Sequence, residues 1–355
     1  MDNALIIAEY CEKKLIKNNL LFKKYALTEP CFIFTLLSTE QLSEQQKDYF
    51  EKVKFLLKFR KMRNELITKE IETIFKNDTN LIGLKGPFIQ NIYYDKKYTR
   101  MFGDIDLLTI PENGYIEYSR LRNIGYQLIK NANIFENKHL TIRILRKKYF
   151  SNACHVELTK KIHNKENIVL ELHGNLNRCN SGKISFNVKN MCIRSRKIEI
   201  NNTSIRILSP EDNLAFLMFH SIKHLSYTSF IKNQNKTLNL QTFYDVSQII
   251  DMETINWNLF FDLVCEFNIL PFVSLYLRIF TDIFNNKIPQ KIVDKIYFQC
   301  NNTNFPWKSI YNTIIELPTE DIIMGNLTKA PEIDNTYNIA ANSKNPVKIW
   351  HNFSI

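Results

Sequence analysis

The feature that most constrains this chain is a pair of aspartates, Asp104 and Asp106, separated by one isoleucine and followed by Leu107 and Leu108. The apolar residues in and after the pair predict a buried β-strand. Side chains alternate faces along a strand, so both carboxylates point to the same side of a sheet. Carboxylates a few ångströms apart repel each other, and a divalent cation relieves that repulsion. The pair therefore predicts a metal site on a sheet.

The composition predicts a globular protein with a large core. The chain has 355 residues, of which 45% are hydrophobic, and this suffices for two or three structural units. The formal net charge of +11 suits a phosphate-bearing or nucleic-acid partner. There is no block of five or six basic residues, however, and lysines spread over solvated helix faces would give the same balance.

Cysteine usage and hydropathy favour a cytoplasmic location. The seven cysteines are scattered and form no C-x-x-C pair, which disfavours a disulfide framework or a zinc site. Glu9 and Glu12 interrupt the first apolar residues, so we expect no signal peptide. Apolar runs are too short to span a bilayer, and we expect no membrane partner.

Hydrophobic periodicity predicts an α+β chain with four regions. These are an N-terminal helical region (1–78), an α/β core (79–205), a C-terminal helical region (206–300) and an irregular tail (301–355). The first region contains a long helix over 44–76, and Ser209 is a good N-cap for the third. The end of the tail, 326–355, has the composition of a partly disordered segment.

A second motif precedes the aspartates. The apolar run 81–84 predicts a buried strand, which Lys85, Gly86 and Pro87 end before a helical pattern begins. A strand, a glycine turn and a helix can present backbone N–H groups and a helix N-terminus to a phosphate. An ordinary tight turn has the same sequence, so this motif alone is not specific.

A third carboxylate follows in the strand pattern over 168–173. Glu171 lies inside this apolar strand, where an unpaired carboxylate is costly and a cation would stabilise it. His173 shares its face, and we expect it to orient Glu171 or to contact substrate. Glu157, in the strand pattern over 155–159, is the rival third carboxylate, and we favour Glu171.

Other histidines are weaker candidates. His139 begins an alternating strand pattern, His139–Leu145, where a structural role is favoured over a position in a cleft. His220 and His224 lie four residues apart on a predicted helix, as metal ligands can. No third ligand is evident beside them, so polar packing is the favoured interpretation.

These motifs fit one arrangement, in which Asp104, Asp106 and a third carboxylate hold Mg²⁺ while Lys85 or Arg100 neutralises phosphate charge. With two ions, one activates an attacking hydroxyl and the other stabilises the leaving pyrophosphate. Pairs of the form D-x-D also occur as capping or surface residues and in the metal sites of glycosyltransferases. Spacing alone leaves these alternatives open.

The order of the motifs resembles that of the uncharacterised nucleotidyltransferase family of the polymerase-beta-like superfamily. The matching residues are, in chain order, Lys85-Gly86, Tyr94, Arg100, Asp104, Asp106, Gly125-Tyr126, His139 and Glu171-Leu172-His173. The resemblance extends over residues 50–285. The combination of K-G, R-x-x-x-D-x-D and E-L-H is fairly specific, whereas each motif alone is not.

The resemblance implies a nucleotidyltransferase-like mixed β-sheet core flanked by N-terminal and C-terminal helices. It implies metal binding by Asp104, Asp106 and Glu171. We also expect Lys85, Gly86, Arg100 and His173 to contact the nucleotide. This chain departs from the superfamily pattern where Lys85-Gly86 replaces the usual Gly-Ser turn, so the serine that touches a phosphate is absent. It also has Gly174 where the family has an aromatic residue.

We therefore expect a Mg²⁺-dependent enzyme, with Mn²⁺ as an alternative ion, that moves an NMP from an NTP such as ATP to an acceptor hydroxyl. The acceptor is a small molecule, a peptide or a protein. A nucleic-acid acceptor such as a tRNA terminus is an alternative that the basic charge supports weakly. A non-catalytic nucleotide-binding module of the same fold is a further alternative, because the serine is missing.

Overall fold

The protein is described by a computed structural model with two compact units. The described residues are 44–76, 79–94, 100, 102–128, 155–162, 167–176, 184–231 and 238–304, with isolated positions before residue 11 and between 311 and 319. We call residues 48–180 and 186–209 the core unit, and residues 1–47, 181–185 and 210–355 the helical unit. The strand predicted at His139–Leu145 and the predicted disordered tail lie outside the described residues.

Within its described residues, the core unit is built on a mixed seven-stranded sheet. The strands are β1 (Ile82–Gly83), β2 (Asp104–Leu108), β3 (Gln127–Leu128), β4 (His155–Lys161), β5 (Asn167–His173), β6 (Arg196–Ile200) and β7 (Thr203–Ile207). Their order across the sheet is β3-β4-β5-β2-β1-β7-β6. The pairs β2–β5 and β1–β7 are parallel and the other neighbours are antiparallel. This architecture confirms the predicted α+β fold class.

The described helices belong in part to the core unit and in part to the helical unit. They are α1 (Glu44–Phe75), α2 (Pro87–Tyr93), α3 (Gly114–Asn123), α4 (Val188–Arg194), α5 (Pro210–Ile231), α6 (Leu240–Met252), α7 (Trp257–Glu266), α8 (Leu270–Phe284) and α9 (Gln290–Asn302). A short 3-10 helix, Pro111–Asn113, precedes α3. None of these helices combines the length and apolar composition that a membrane crossing requires.

The long helix α1 forms a hydrophobic core with one face of the sheet. Its residues Ile67, Ile71 and Ile74 follow a helical spacing of four and three, so they share one face, and all three are fully buried. They belong to the same hydrophobic cluster as Ile105 and Leu107 of β2. Packing of this face leaves the alternate residues of β2, including both aspartates, on the opposite face of the sheet.

By its contacts, most of α1 groups with the sheet in the core unit. The boundary predicted after residue 78 assigns this helix to a separate N-terminal region. The grouping has a physical reason. The hydrophobic residues along one face of α1 are buried against the sheet, whereas a separate helix would leave that face exposed to water. The four-region division of the chain stays a prediction.

The hairpin of β6 and β7 was not among the strands predicted from the sequence. It is closed by Asn201 and Asn202, which both have positive φ, 47° and 63°. A two-residue turn with two positive φ angles is the type I′ geometry that suits the twist of a hairpin. The signal was therefore present, as an asparagine pair between alternating apolar residues.

Candidate metal centre

Strand β2 places Asp104 and Asp106 on the face of the sheet opposite the α1 core. Ile105 between them is fully buried in that core, so the two carboxylates project together to the other side. Asp106 lies deep, with 1% of its side chain exposed. The backbone N–H of Leu84 donates to the carbonyl oxygen of Asp106 at 3.2 Å, which brings the Lys85-Gly86 turn beside the aspartates.

Strand β5 brings Glu171 to the pair. Strands β2 and β5 are parallel, and Asp106 lies directly opposite Glu171. Carboxylate oxygens of Asp104, Asp106 and Glu171 all lie within 4.8 Å of one another. Glu157 lies opposite Glu171 on β4, which borders β5 on the side away from β2. Its side chain is 53% exposed, and the metal-competent carboxylate group found among the described residues does not include it.

The contacts of Asp106 leave one of its oxygens available. The ammonium group of Lys85 and Nε2 of His173 each lie 3.2 Å from Oδ1 of Asp106. The other oxygen, Oδ2, is buried, and no donor among the described residues reaches it. A buried carboxylate oxygen without a partner is costly. Asp106 belongs to the group formed with Asp104 and Glu171. Because Mg²⁺ prefers carboxylate oxygens as ligands, these three residues fit a Mg²⁺ ion.

The environment separates the ionisation of the two aspartates. Burial, and then the negative charge of Asp106, raise the pKa of Asp104 to about 6. Burial acts in the same direction on Asp106, but the charge of Lys85 and the hydrogen bond from His173 outweigh it and lower its pKa. In the metal-free protein Asp106 is therefore ionised over the whole neutral range, whereas Asp104 takes up a proton in mildly acidic solution.

Glu171 and His173 form a second charge-coupled pair. Nε2 of His173 lies 3.1 Å from Oε2 of Glu171. Burial raises the pKa of Glu171, but the hydrogen bond from His173 and the positive charges of His173 and His155 together outweigh it, so the net pKa is lowered. Burial likewise lowers the pKa of His173, but its hydrogen bonds to Asp106 and Glu171 outweigh it and the net pKa is raised. His173 thus bridges two of the three carboxylates.

His155 is a residue at this site that the sequence did not single out. It lies directly opposite His173, with ring centroids 5.1 Å apart. Its Nε2 lies 3.4 Å from Oε1 of Glu157 and 4.0 Å from Oε1 of Glu171. Burial, together with the charge of His173, keeps the pKa of His155 low despite the carboxylates. A signal was available, because H-x-E over 155–157 mirrors E-x-H over 171–173.

The Lys85-Gly86 turn has a geometry that requires glycine. Gly86 has φ 60° and ψ −119°, which residues with a Cβ rarely adopt. A Cβ at this position would lie 3.4 Å from the carbonyl oxygen of Asp104. The helix that follows, α2, is seven residues long and begins with Pro87. The turn therefore sits against the first residue of the aspartate strand.

Helix α1 holds the segment that leads into the aspartates. Asn64 donates through Nδ2 to the carbonyl oxygen of Arg100 at 2.9 Å. Arg63 donates to the carbonyl oxygens of Phe102 and Gly103 at 3.2 and 2.9 Å. The backbone N–H of Arg100 also donates to Oε1 of Gln90. These bonds fix the backbone on the N-terminal side of Asp104, and the role of the Arg100 side chain toward phosphate stays a prediction.

The histidines of α5 belong to the helical unit. The ring of His220 packs 5.5 Å from that of Phe216. Neither of the metal-competent side-chain groups found among the described residues includes His220, and the side chain of His224 is outside the description. Aromatic packing is thus the observed environment of His220.

The chain matches a model of a known protein family. A family model described as an uncharacterised nucleotidyltransferase matches residues 32–285, which is more than half of the chain. This range contains the whole carboxylate group and the Lys85-Gly86 turn. A search of curated proteins finds no match.

Proposed function

We propose that this protein, which belongs to the uncharacterised nucleotidyltransferase family, moves an NMP from an NTP to an acceptor hydroxyl. The proposed reaction depends on Mg²⁺. The observation that carries this proposal is the buried Asp106, with an oxygen that no described donor reaches, grouped with Asp104 and Glu171. Mn²⁺ is the alternative ion, since it accepts similar oxygen ligands.

Each residue has a stated role in the proposed reaction. Asp104 and Asp106 would hold the ions, and Glu171 would complete the site on the acceptor side. Bound Mg²⁺ supplies activation of the attacking hydroxyl and stabilisation of the leaving pyrophosphate. His173 holds Glu171 and Asp106 in place through its two contacts.

Lys85 and Arg100 are proposed to contact the phosphates. The side chain of Lys85 is 19% exposed although its ammonium group pairs with Asp106. We therefore expect Lys85 to contact a ligand as well. This contact would replace the one that serine makes in the superfamily's usual turn. Gly86 allows the close approach of this turn to Asp104.

The test is incubation with each α-labelled NTP, Mg²⁺ and a cell extract, followed by separation of the labelled products. We expect label to enter an acceptor with the wild-type protein and not with Asp104→Ala. The matched control is Asp262→Ala, which removes an exposed aspartate of α7 in the helical unit. If Asp104→Ala leaves Mg²⁺-dependent NTP binding and turnover unchanged, the enzymatic proposal is wrong and a binding module is favoured.

A nucleic-acid acceptor is the second candidate, and one cavity favours it. The core unit has a cavity of about 320 Å³ beside the β6–β7 hairpin, with Lys76, Lys197 and Arg206 in its lining. Lys197 and Arg206 lie directly opposite each other on the hairpin. Basic side chains that line a cavity suit a phosphate-bearing ligand. Nuclease-sensitive label in the same experiment would identify this acceptor; nuclease-resistant label would favour a small molecule or protein.

A further inference from the structure

A second group of metal-competent side chains lies beside the three carboxylates. Ligand atoms of His155, Glu171 and His173 all lie within 4.8 Å of one another. The two histidines face each other on neighbouring antiparallel strands, and Glu171 lies two residues before His173 on the same face of β5. Three ligand-bearing side chains thus converge from two adjacent strands.

The chemistry of this group differs from that of the aspartate pair. Two imidazoles and one carboxylate are a donor set that proteins use for zinc and other transition metals. Mg²⁺ prefers oxygen ligands alone. The three side chains are 12–22% exposed, so they are shielded from solvent but reachable by an ion.

Glu171 belongs to both groups. One of its oxygens lies 3.1 Å from Nε2 of His173, and the other lies 4.0 Å from Nε2 of His155. It also lies opposite Asp106 in the parallel pair of β2 and β5. A carboxylate has two oxygens and can bind an ion through each of them. The geometry therefore allows one ion on the aspartate side of Glu171 and a different one on the histidine side. Binding of the second ion through Nε2 of His173 would replace the hydrogen bonds of that nitrogen to Asp106 and Glu171.

We propose that His155, Glu171 and His173 bind a nitrogen-preferring divalent transition-metal ion such as Zn²⁺, adjacent to the carboxylate site for Mg²⁺. The inference extends the proposed function, on which it rests for the role of Glu171 toward Mg²⁺. It assigns to the centre two unlike ions, and to His155 the role of a metal ligand. A simple hydrogen-bonding role for the histidines is the alternative that the experiment must separate.

The experiment uses Co²⁺ as the probe, because Co²⁺ replaces zinc and its visible absorption reports the ligands directly. The metal-free full chain is titrated with Co²⁺, and binding is followed by visible absorption and by calorimetry. We expect a saturable absorption in the wild type. His155→Ala should weaken Co²⁺ binding by about 100-fold or more, since even the loss of a residue outside the ligand shell costs about 10- to 100-fold.

Two control variants separate the histidine site from other binding. Asp104 is not among the three proposed ligands of the transition-metal ion, so Asp104→Asn should keep the Co²⁺ absorption and most of the affinity. His220→Ala removes an imidazole from the helical unit and should keep both as well. The proposal is overturned if the wild type has no saturable absorption, if His155→Ala retains it, or if Asp104→Asn loses it as fully as His155→Ala.

X-ray absorption of the Zn²⁺-loaded wild type needs no variant and covers the case in which His155→Ala does not fold. We expect scattering from two imidazoles, and a shell of oxygens alone would overturn the proposal. The outcomes for the two proposals are distinguishable. Co²⁺ binding by the histidines without any nucleotidyl transfer would leave the metal site standing and contradict the proposed function. Nucleotidyl transfer without Co²⁺ binding by the histidines would support the proposed function and contradict the second metal site.

Discussion

The ammonium group of Lys85 lies 3.2 Å from Oδ1 of Asp106, a carboxylate with 1% of its side chain exposed. Burial lowers the pKa of Lys85, but the charges of Asp106, Asp104 and Glu171 outweigh it and the net pKa is raised. Lys85 is therefore a cation at any neutral pH, and it keeps Asp106 ionised. The lysine of the Lys85-Gly86 turn is thus the counter-ion of a fully buried aspartate.

This pairing predicts that Lys85→Met destabilises the metal-free protein. The change leaves a buried carboxylate with His173 as its remaining cationic partner, and breaking a buried ion pair costs about 3–5 kcal/mol. Urea denaturation measures the free energy of unfolding. Lys58→Met, at an exposed position of α1, is the matched control and should change little. In Lys85→Met/Asp106→Asn the charge is gone as well, and we expect most of the loss to be recovered.

The raised pKa of Asp104 predicts a pH-dependent gain in stability for Asp104→Asn. The folded pKa of about 6 lies above the unfolded value of 3.8, so the folded state binds the proton more tightly. Wild-type stability from this group is therefore highest below pH 4 and is lost as the pH rises through 6. Removal of the charge should stabilise the metal-free protein at pH 7.5 by roughly 1–3 kcal/mol, and this gain should vanish at pH 4. Thermal melts in EDTA across this range provide the measurement, and an equal gain at both pH values would contradict it.

The two glutamates on neighbouring strands provide a matched pair of variants. Glu171→Gln removes a carboxylate that lies with both aspartates, whereas Glu157→Gln removes one that is half exposed on the next strand. We expect Glu171→Gln to lower kcat for nucleotidyl transfer by about 100-fold or more, as the loss of a metal ligand does. Glu157→Gln should retain most of the activity. Equal losses in the two variants, or a larger loss in Glu157→Gln, would assign the third carboxylate differently.

Glu157 and Glu171 also show which part of the site could not be predicted from the sequence. The aspartate strand, the helix periods and the segment over 168–173 are local patterns, and the structure confirms them as strands and helices. Glu157 and Glu171 have the same local signal, a carboxylate two residues from a histidine on a strand. Which of them meets the aspartates depends on the sheet order β4-β5-β2 and on the parallel register of Asp106 with Glu171. Pairing between segments that far apart in sequence is not encoded in any local period.

The hydrogen bonds of α1 to the segment before Asp104 predict that a helix residue outside the carboxylate group affects catalysis. Asn64→Ala removes a buried hydrogen bond to the carbonyl oxygen of Arg100 and leaves that oxygen with one donor fewer. The loss should lower the free energy of unfolding by about 1–3 kcal/mol. It should also lower kcat, because the backbone before Asp104 loses one of the hydrogen bonds that hold it in position. Lys61→Ala, at an exposed position one turn earlier on α1, is the control for helix propensity and should change neither quantity.

Two glycines near the aspartates predict opposite responses to the same substitution. Gly86 has φ 60°, and a Cβ there would lie 3.4 Å from both the carbonyl oxygen of Asp104 and Cβ of Phe102. Gly86→Ala should therefore cost about 1–3 kcal/mol of stability through backbone strain. A Cβ on Gly103 would meet no atom within 4 Å, so Gly103→Ala should be tolerated. Because the added Cβ would contact the carbonyl oxygen of Asp104, we also expect weaker Mg²⁺ binding by Gly86→Ala in calorimetry. Unchanged Mg²⁺ affinity with reduced stability would mean that the turn supports the fold without positioning the aspartates.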